Sequence, residues 1–291
     1  MSLCAPVLLS LLLSAGESHA DQNPVYQQLR TTGISVGEKT LAVVPAPTIA
    51  DGMDSAAQQA AVAAIPRLRV SPDVFLRDSV TAPFAISVGD LTETDAGLRL
   101  RTVEVWFVAY GNFDALRENR QWLESFLRRS DQDVHVLTEE ELKSRNVPPT
   151  EASTEGRAGW THTVSQLLER VELSATTYTV WSNTPESTLA AGLVDSRFLE
   201  DAEYPNQWRP ITSQRDGTQT LGSAKPYSAS ASYMKATRLK EPSGAILLEY
   251  HTVFNQPAEW FGGRDLIRSK LPMVVQSEIR NFRRKLKGAN R

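Results

Sequence analysis

PAEWFGGRDLIRSKLPMVVQSEIRNFRRKLK, residues 257–287, carries the clearest helical pattern of this chain. Large apolar residues recur in it at steps of three and four, which places them on one face of an α-helix. These residues are Ile267, Leu271, Val275, Ile279, Phe282 and Leu286. Pro272 is expected to kink the helix or to start a new one. The pattern predicts a long amphipathic C-terminal helix.

The opposite face of this helix is basic. From residue 264 to residue 291 there are nine Lys or Arg residues and two acids, whereas the whole chain has a formal charge of −3. On a helical wheel Arg280, Arg284 and Lys287 lie opposite the apolar face, and Arg283 lies between the two faces. Three arrangements follow: packing on a sheet with the basic face in water, contact with a membrane surface, or contact with nucleic acid.

Burial energies favour packing on a sheet. Six large apolar side chains are worth on the order of 9–18 kcal/mol gross when they are fully buried. Each basic residue would gain only about 1 kcal/mol at an anionic surface. The net negative charge of the chain argues further against a nucleic-acid partner.

The first twenty residues, MSLCAPVLLSLLLSAGESHA, resemble a secretory signal sequence. An apolar core is followed by small residues, so cleavage is expected after Ala20 and the protein is expected to be exported, periplasmic or secreted. The alternative is a buried or anchoring N-terminal helix. Cys4 is the only cysteine, so a chain starting at Asp21 would have no disulfide and no thiolate nucleophile.

Composition divides the remainder into four segments. Residues 21–71 are a lead-in with an Ala-rich helix, for which Asp54 or Ser55 is the expected N-cap. Residues 72–145 are expected to form an α+β module. Residues 146–159 are rich in Pro, Ser, Thr and Gly and are interpreted as a linker. Residues 160–291 are a second α+β module.

Local patterns assign the elements of these modules. Residues 73–80 are predicted as a strand and residues 161–170 as a helix. A second helix is predicted from Thr184, with Thr184 as its N-cap and a proline at its first position. Residues 227–239 and 244–254 are predicted as two long strands of a hairpin. Whether residues 72–111 share a sheet with residues 171–254 is left open.

Motifs for catalysis or metal binding do not emerge from the sequence. His135, His162 and His251 lack the spacing of a metal site. A Ser-x-x-Lys match at Ser232 and Lys235 falls in a predicted strand, where residues three apart face opposite sides. No catalytic residue, metal or cofactor is therefore predicted, and the sequence leans away from an enzyme.

The order of elements and several local motifs resemble the START and polyketide-cyclase superfamily, which has the helix-grip fold. NTPESTLAAGLVDSRF (residues 183–198) followed by Trp208, and the pair Pro257 and Trp260 before the last helix, are similar to that family's motifs. The resemblance covers residues 171–287. It implies an α+β fold in which a curved antiparallel sheet holds the C-terminal helix, with a hydrophobic ligand, often a lipid, between them.

Together with the signal sequence and the lack of catalytic motifs, this resemblance leads to the hypothesis of an exported, non-catalytic protein that binds a hydrophobic, lipid-like small molecule. The aromatic residues expected to line the site are Trp181, Trp208, Tyr233, Tyr250, Trp260 and Phe261. The alternative is a cell-envelope scaffold or interaction module without a pocket. It would contact an anionic partner or a membrane surface through a basic surface formed by Arg280, Arg283, Arg284 and Lys287.

Overall fold

The computed structural model describes residues 23–36, 39–41, 44–93, 98–118, 132–215, 218–262 and 264–288. The predicted signal sequence lies outside the described residues. Within these ranges no helix is long and apolar enough to cross a membrane.

Thirteen strands are described. Two of them, β1 (Ile34–Val36) and β2 (Lys39–Leu41), form a separate hairpin. The others form one sheet of eleven strands, in which all the pairings are antiparallel. They are β3 (Phe84–Glu93), β4 (Leu98–Tyr110), β5 (Asp133–Val136), β6 (Ala158–Leu167), β7 (Val171–Asn183), β8 (Ser187–Val194), β9 (Gln207–Arg215), β10 (Thr218–Leu221), β11 (Lys225–Pro226), β12 (Ser230–Arg238) and β13 (Ala245–Pro257).

The structure describes seven α-helices. They are α1 (Pro24–Thr31), α2 (Ser55–Ala63), α3 (Pro72–Phe75), α4 (Phe113–Glu118), α5 (Glu139–Ser144), α6 (Glu151–Thr154) and α7 (Leu266–Gly288). Asp54 caps α2 by accepting from the backbone N–H of Ala57. Two short 3₁₀ helices, Ser196–Phe198 and Ala258–Phe261, follow β8 and β13.

The central path of the sheet runs β10-β9-β7-β8-β12-β13-β4-β3. β4 pairs with β13 over its whole length, from Leu98 opposite Pro257 to Tyr110 opposite Ala245. Strands from both predicted modules therefore belong to one sheet, and β3 forms one of its ends. The stretch 146–159, interpreted as a linker, contains α6 and the first residues of β6.

The predicted C-terminal helix is confirmed, with Pro272 inside it. Its apolar face packs on β4 and neighbouring strands, where Ile267, Ile279, Phe282 and Leu286 are buried. The N-terminal segment, including α1 and α2, packs on the opposite face of the sheet. An α+β fold with an antiparallel sheet and a long helix packed on it is therefore confirmed.

The hairpin predicted at residues 227–239 and 244–254 is also confirmed, as β12 and β13. The helix predicted at residues 161–170 was wrong, because most of that stretch belongs to β6. Its β-branched and polar residues alternate between two faces and pair with β7 along the full strand.

The helix predicted from Thr184 was wrong as well. Thr184 does accept hydrogen bonds from the backbone N–H groups of Glu186 and Ser187, as an N-cap would. The chain then enters β8, which lies between β7 and β12. Burial between two strands outweighs the helix propensity of its Ala and Leu residues.

Residues 73–80, predicted as a strand, instead begin with the short helix α3. Pro72 stands at its first position and Asp73 lies in its first turn. Phe75 is fully buried against the face of the sheet that lies away from α7.

Candidate functional site

A cavity of about 300 Å³ lies between α7 and the sheet. Its apolar walls come from both sides. The helix contributes Ile267, Leu271, Val274 and Val275, and the sheet and its connections contribute Val103, Val105, Leu167, Leu173, Phe254 and Trp260. The face of the helix that covers the sheet therefore also forms the roof of this cavity.

Hydroxyl groups supply most of the polar lining of the cavity. Tyr227, Ser230, Tyr250 and Thr252 line it together with Glu278, its one carboxylate among the described residues. Burial raises the pKa of the Tyr227 hydroxyl and that of the Tyr250 hydroxyl above their ordinary value. Both phenols are thus uncharged at neutral pH and can donate or accept a hydrogen bond.

A second cavity of about 320 Å³ adjoins the first. The two share four lining residues, Leu173, Tyr227, Ser230 and Tyr250. The second cavity lies over β6, β7, β8 and β12, and its floor is rich in hydroxyl groups. These come from Thr161, Thr163, Ser165, Thr177, Thr179 and Ser232. The second cavity therefore carries more hydroxyl groups than the first, although much of its lining is also apolar.

Three of the predicted aromatic residues line this space. Tyr250 lines both cavities, Trp260 lines the first and Trp181 lines the second. Trp208 and Phe261 each pack against Trp260, with ring centroids 6.1 Å apart in both pairs. They support the wall and do not line either cavity.

Tyr233, the remaining candidate, lies on the opposite face of the sheet. It pairs with His251 across β12 and β13, and its ring stacks on the His251 ring at 4.6 Å. Its hydroxyl donates to the backbone carbonyl of Pro45 at 3.0 Å. Successive residues of a strand alternate between faces, so Tyr233 and the adjacent Met234 point in opposite directions. The expected placement of Tyr233 in the site is therefore incorrect.

Apart from Tyr250, sequence reasoning missed the hydroxyl-bearing residues of the lining. The signal was present in the alternation of β12 and β13. Ser230, Ser232 and Met234 fall on one face of β12. Tyr250 and Thr252 fall on the matching face of β13. Knowing the register of the hairpin was the step needed to group them.

Arg283 does not lie on a basic surface, because its side chain is buried. Its Nε donates to the carbonyl of Val108 at 2.8 Å, and its Nη1 donates to that of Ala82 at 2.6 Å. Burial, followed by the charge of Arg280, lowers the pKa of Arg283 to about 10. The guanidinium ties α7 to β4 and to the segment before β3.

The other predicted basic residues are only partly free. Lys287 forms an ion pair with Asp78 at 2.5 Å, and Arg284 donates to the Asn281 side chain at 3.1 Å. Arg280 is half-buried. The end of the helix therefore presents less cationic surface than the helical wheel suggests.

None of the three histidines that the structure describes lines either cavity. His251 is buried between Glu104 and Glu249, and His162 is buried beside Ser174. His135 is exposed and contacts a glutamate. Among the residues described, no group of three or more His, Cys, Asp or Glu side chains could hold a metal ion.

No family model matches the chain, and no curated protein matches it in sequence. Similar solved structures include human STARD10, with 9% identity, 73% of this chain and 77% of that chain covered, and a TM-score of 0.39. The lipid transfer and protein localization domain of human StarD13 has 11% identity, coverage of 67% and 88%, and a TM-score of 0.36. An uncharacterized Rhizobium leguminosarum protein has 10% identity, coverage of 70% and 99%, and a TM-score of 0.31. The START-like resemblance expected from the sequence is confirmed as a weak one, and no function follows from it.

Proposed function

We propose that this protein binds one hydrophobic, lipid-like molecule non-covalently between α7 and the sheet. The observation that carries the proposal is the cavity roofed by Leu271 and Val275 and floored by Val103 and Val105. Ligand sites in proteins occupy about 300–1,000 Å³ and are mostly apolar with a few polar groups. This cavity and its hydroxyl-rich neighbour together meet that description.

The arrangement of polar groups orients the ligand. An apolar chain would lie beneath the helix, and its polar end would reach the hydroxyl groups of the second cavity. Glu278 at the roof disfavours an anionic group there. About ten buried methylenes would contribute on the order of 8 kcal/mol gross. Association itself costs at least about 4 kcal/mol, so the apolar chain alone leaves about 4 kcal/mol, which corresponds to millimolar affinity. Tighter binding requires hydrogen bonds between the polar end of the ligand and the hydroxyl groups.

Binding without catalysis is the simplest use of this lining. Glu278 is the one charged side chain among the described residues that line the two cavities. None of the described lining residues is a histidine, lysine or cysteine that could act as a base or a nucleophile. The proposal is therefore one of storage or transport of the ligand.

Fluorescence titration with the neutral dye N-phenyl-1-naphthylamine tests the site. Saturable binding of one dye per chain is expected. Val275→Trp should weaken binding at least about tenfold, because the larger side chain fills the cavity. Met273→Trp is the matched control, since Met273 is 64% exposed on the same helix. Equal dye binding by the two variants, or no dye binding by the unaltered protein, would contradict the proposal.

We further propose that the protein acts after export, because residues 1–20 have the pattern of a signal sequence. Expression of the full chain in a Gram-negative host, followed by N-terminal sequencing of the periplasmic protein, tests this. Asp21 is the expected first residue. Retention in the cytoplasm with an intact N-terminus would contradict export and would leave the cavity proposal untouched.

A further inference from the structure

The strand β3 forms an open edge of the large sheet. It pairs with β4 along one side. In the part of the chain that the structure describes, no strand pairs with the other side of β3, and no backbone hydrogen bond is made there. The backbone carbonyl of Val88 in β3 accepts a hydrogen bond from the side chain of Arg268 at 3.4 Å. An edge of this length is able to accept another strand.

A groove of about 570 Å³ follows this edge. Phe84, Ile86 and Val88 line it from one face of β3, and Ser87 lines it from the other. Residues of both faces contribute, so the groove runs along the strand edge and does not lie over one face. The three apolar side chains are half-buried, which gives an incoming chain apolar surface to cover.

Three arginines surround the groove. Arg67 and Arg69 are exposed, and neither forms an ion pair or a side-chain hydrogen bond within the described residues. Arg268 is 58% exposed and lies 3.6 Å from Asp90 and 3.9 Å from Asp265. Both carboxylates also contact the buried Arg101, at 2.5 Å and 2.7 Å, so they offset little of the charge of the three exposed arginines. The groove is therefore both apolar and cationic.

We propose that this groove binds an extended acidic segment of a partner protein, which adds to β3 as a further strand. The backbone of the segment would pair with β3, and its alternate side chains would fall on opposite sides. Apolar residues would cover Phe84, Ile86 and Val88, while Asp or Glu residues would pair with the arginines. This surface is separate from the ligand cavity and does not depend on it.

Charge and shape favour an acidic strand over two other possible occupants of the groove, a second copy of the chain and a membrane. A second copy of the chain would bring two sets of arginines together, which is unfavourable. A membrane is flat and cannot supply the backbone hydrogen bonds that a strand edge accepts. An acidic strand satisfies both the charges and the open edge.

Selection of a random ten-residue peptide library on the full chain tests this proposal. Enriched peptides should alternate Asp or Glu with Val, Ile or Leu. Their affinity should fall at least about tenfold for Arg67→Glu/Arg69→Glu. Arg170→Glu/Lys143→Glu makes the same change in net charge at exposed positions elsewhere and should leave affinity unchanged. Circular dichroism and thermal melting establish that each variant is folded.

Several results would overturn the proposal. One is enrichment of neutral or basic peptides, and another is no enrichment at all. A third is equal loss of affinity in both double variants. A fourth is dimerisation of the Arg67/Arg69 variant when no peptide binds the unaltered protein. In that case the arginines only keep the β3 edges of two chains apart. Binding of phosphatidylglycerol vesicles without peptide binding would assign the surface to a membrane instead.

Discussion

Arg101 of β4 lies 2.7 Å from Asp265, the residue that precedes α7, measured from Nη2 to Oδ1. The Arg101 side chain is fully buried, and its Nε donates to the side chain of Gln256 at 2.8 Å. Asp90 also lies 2.5 Å from its Nη1. One buried guanidinium thus connects the start of the helix to two strands of the sheet.

We predict that Arg101→Met lowers the free energy of unfolding by about 3 kcal/mol. The change leaves the carboxylates of Asp90 and Asp265 without their buried partner, which is the costly way to break an ion pair. Urea denaturation measures the loss. Arg99→Met is the control, because Arg99 is 38% exposed and 3.2 Å from Asp90, and it should cost less than about 1 kcal/mol. Equal losses would show that Arg101 has no special role.

Arg283 should be equally important at the other end of the helix. Arg283→Met leaves the carbonyls of Val108 and Ala82 without their donor, and we expect a loss of about 2–4 kcal/mol. Arg284→Met changes an exposed residue and should stay within about 0.5 kcal/mol. Thermal unfolding of the two variants is the measurement. A small effect of Arg283→Met would contradict its assignment as a structural arginine.

The surroundings of His251 predict that the stability of the protein depends on pH. Its Nε2 lies 3.3 Å from Glu249 and its Nδ1 lies 3.6 Å from Glu104. Burial alone would lower the pKa of His251, but hydrogen bonds and charges from Glu104 and Glu249 raise it above its ordinary value. The folded pKa exceeds the unfolded one, so this stabilisation is full below the unfolded pKa. It is lost as pH rises through the folded pKa.

The comparison with His251→Gln isolates that contribution. The stability advantage of the unaltered protein over the variant should shrink as pH rises from about 6 to about 9. Urea denaturation across this range measures it. A constant difference, or one that grows with pH, would contradict a raised pKa.

Gly111 sets how closely the end of α7 approaches the sheet. A methyl group at this position would lie 2.5 Å from Cγ of Leu286. Gly111→Ala should therefore destabilise the protein by about 1–3 kcal/mol through overpacking. Gly159→Ala is the control, because nothing lies within 4 Å of the added methyl group. Differential scanning calorimetry of both variants checks this, and a neutral Gly111→Ala would mean that Leu286 is free to move.

The features predicted most accurately from the sequence are those that local spacing determines. The apolar face of α7 was visible as a regular spacing from Ile267 to Leu286, and its packing on a sheet followed from burial energy. Thr138 and Glu141, three positions apart, form a capping box at the start of α5. These features depend on residues a few positions apart.

Features that depend on distant partners were not predictable in the same way. Residues 187–194 carry local signals that favour a helix, and β12, one of the two strands that flank β8, is distant in sequence. A helical wheel predicts a surface position for Arg283 because it does not show the carbonyls of Val108 and Ala82. The sequence predicts Tyr233 in the site because it does not reveal the register of β12 against β13.

The predicted hydrophobic ligand is tested most directly by native mass spectrometry of the purified full chain. One small molecule per chain should be retained under gentle conditions, and it should be removed by extraction with organic solvent. The Val275→Trp variant should carry none, while the Met273→Trp variant should carry it as the unaltered protein does. Repeated recovery of empty protein that also fails to take up an added hydrophobic compound would contradict a ligand site beneath α7.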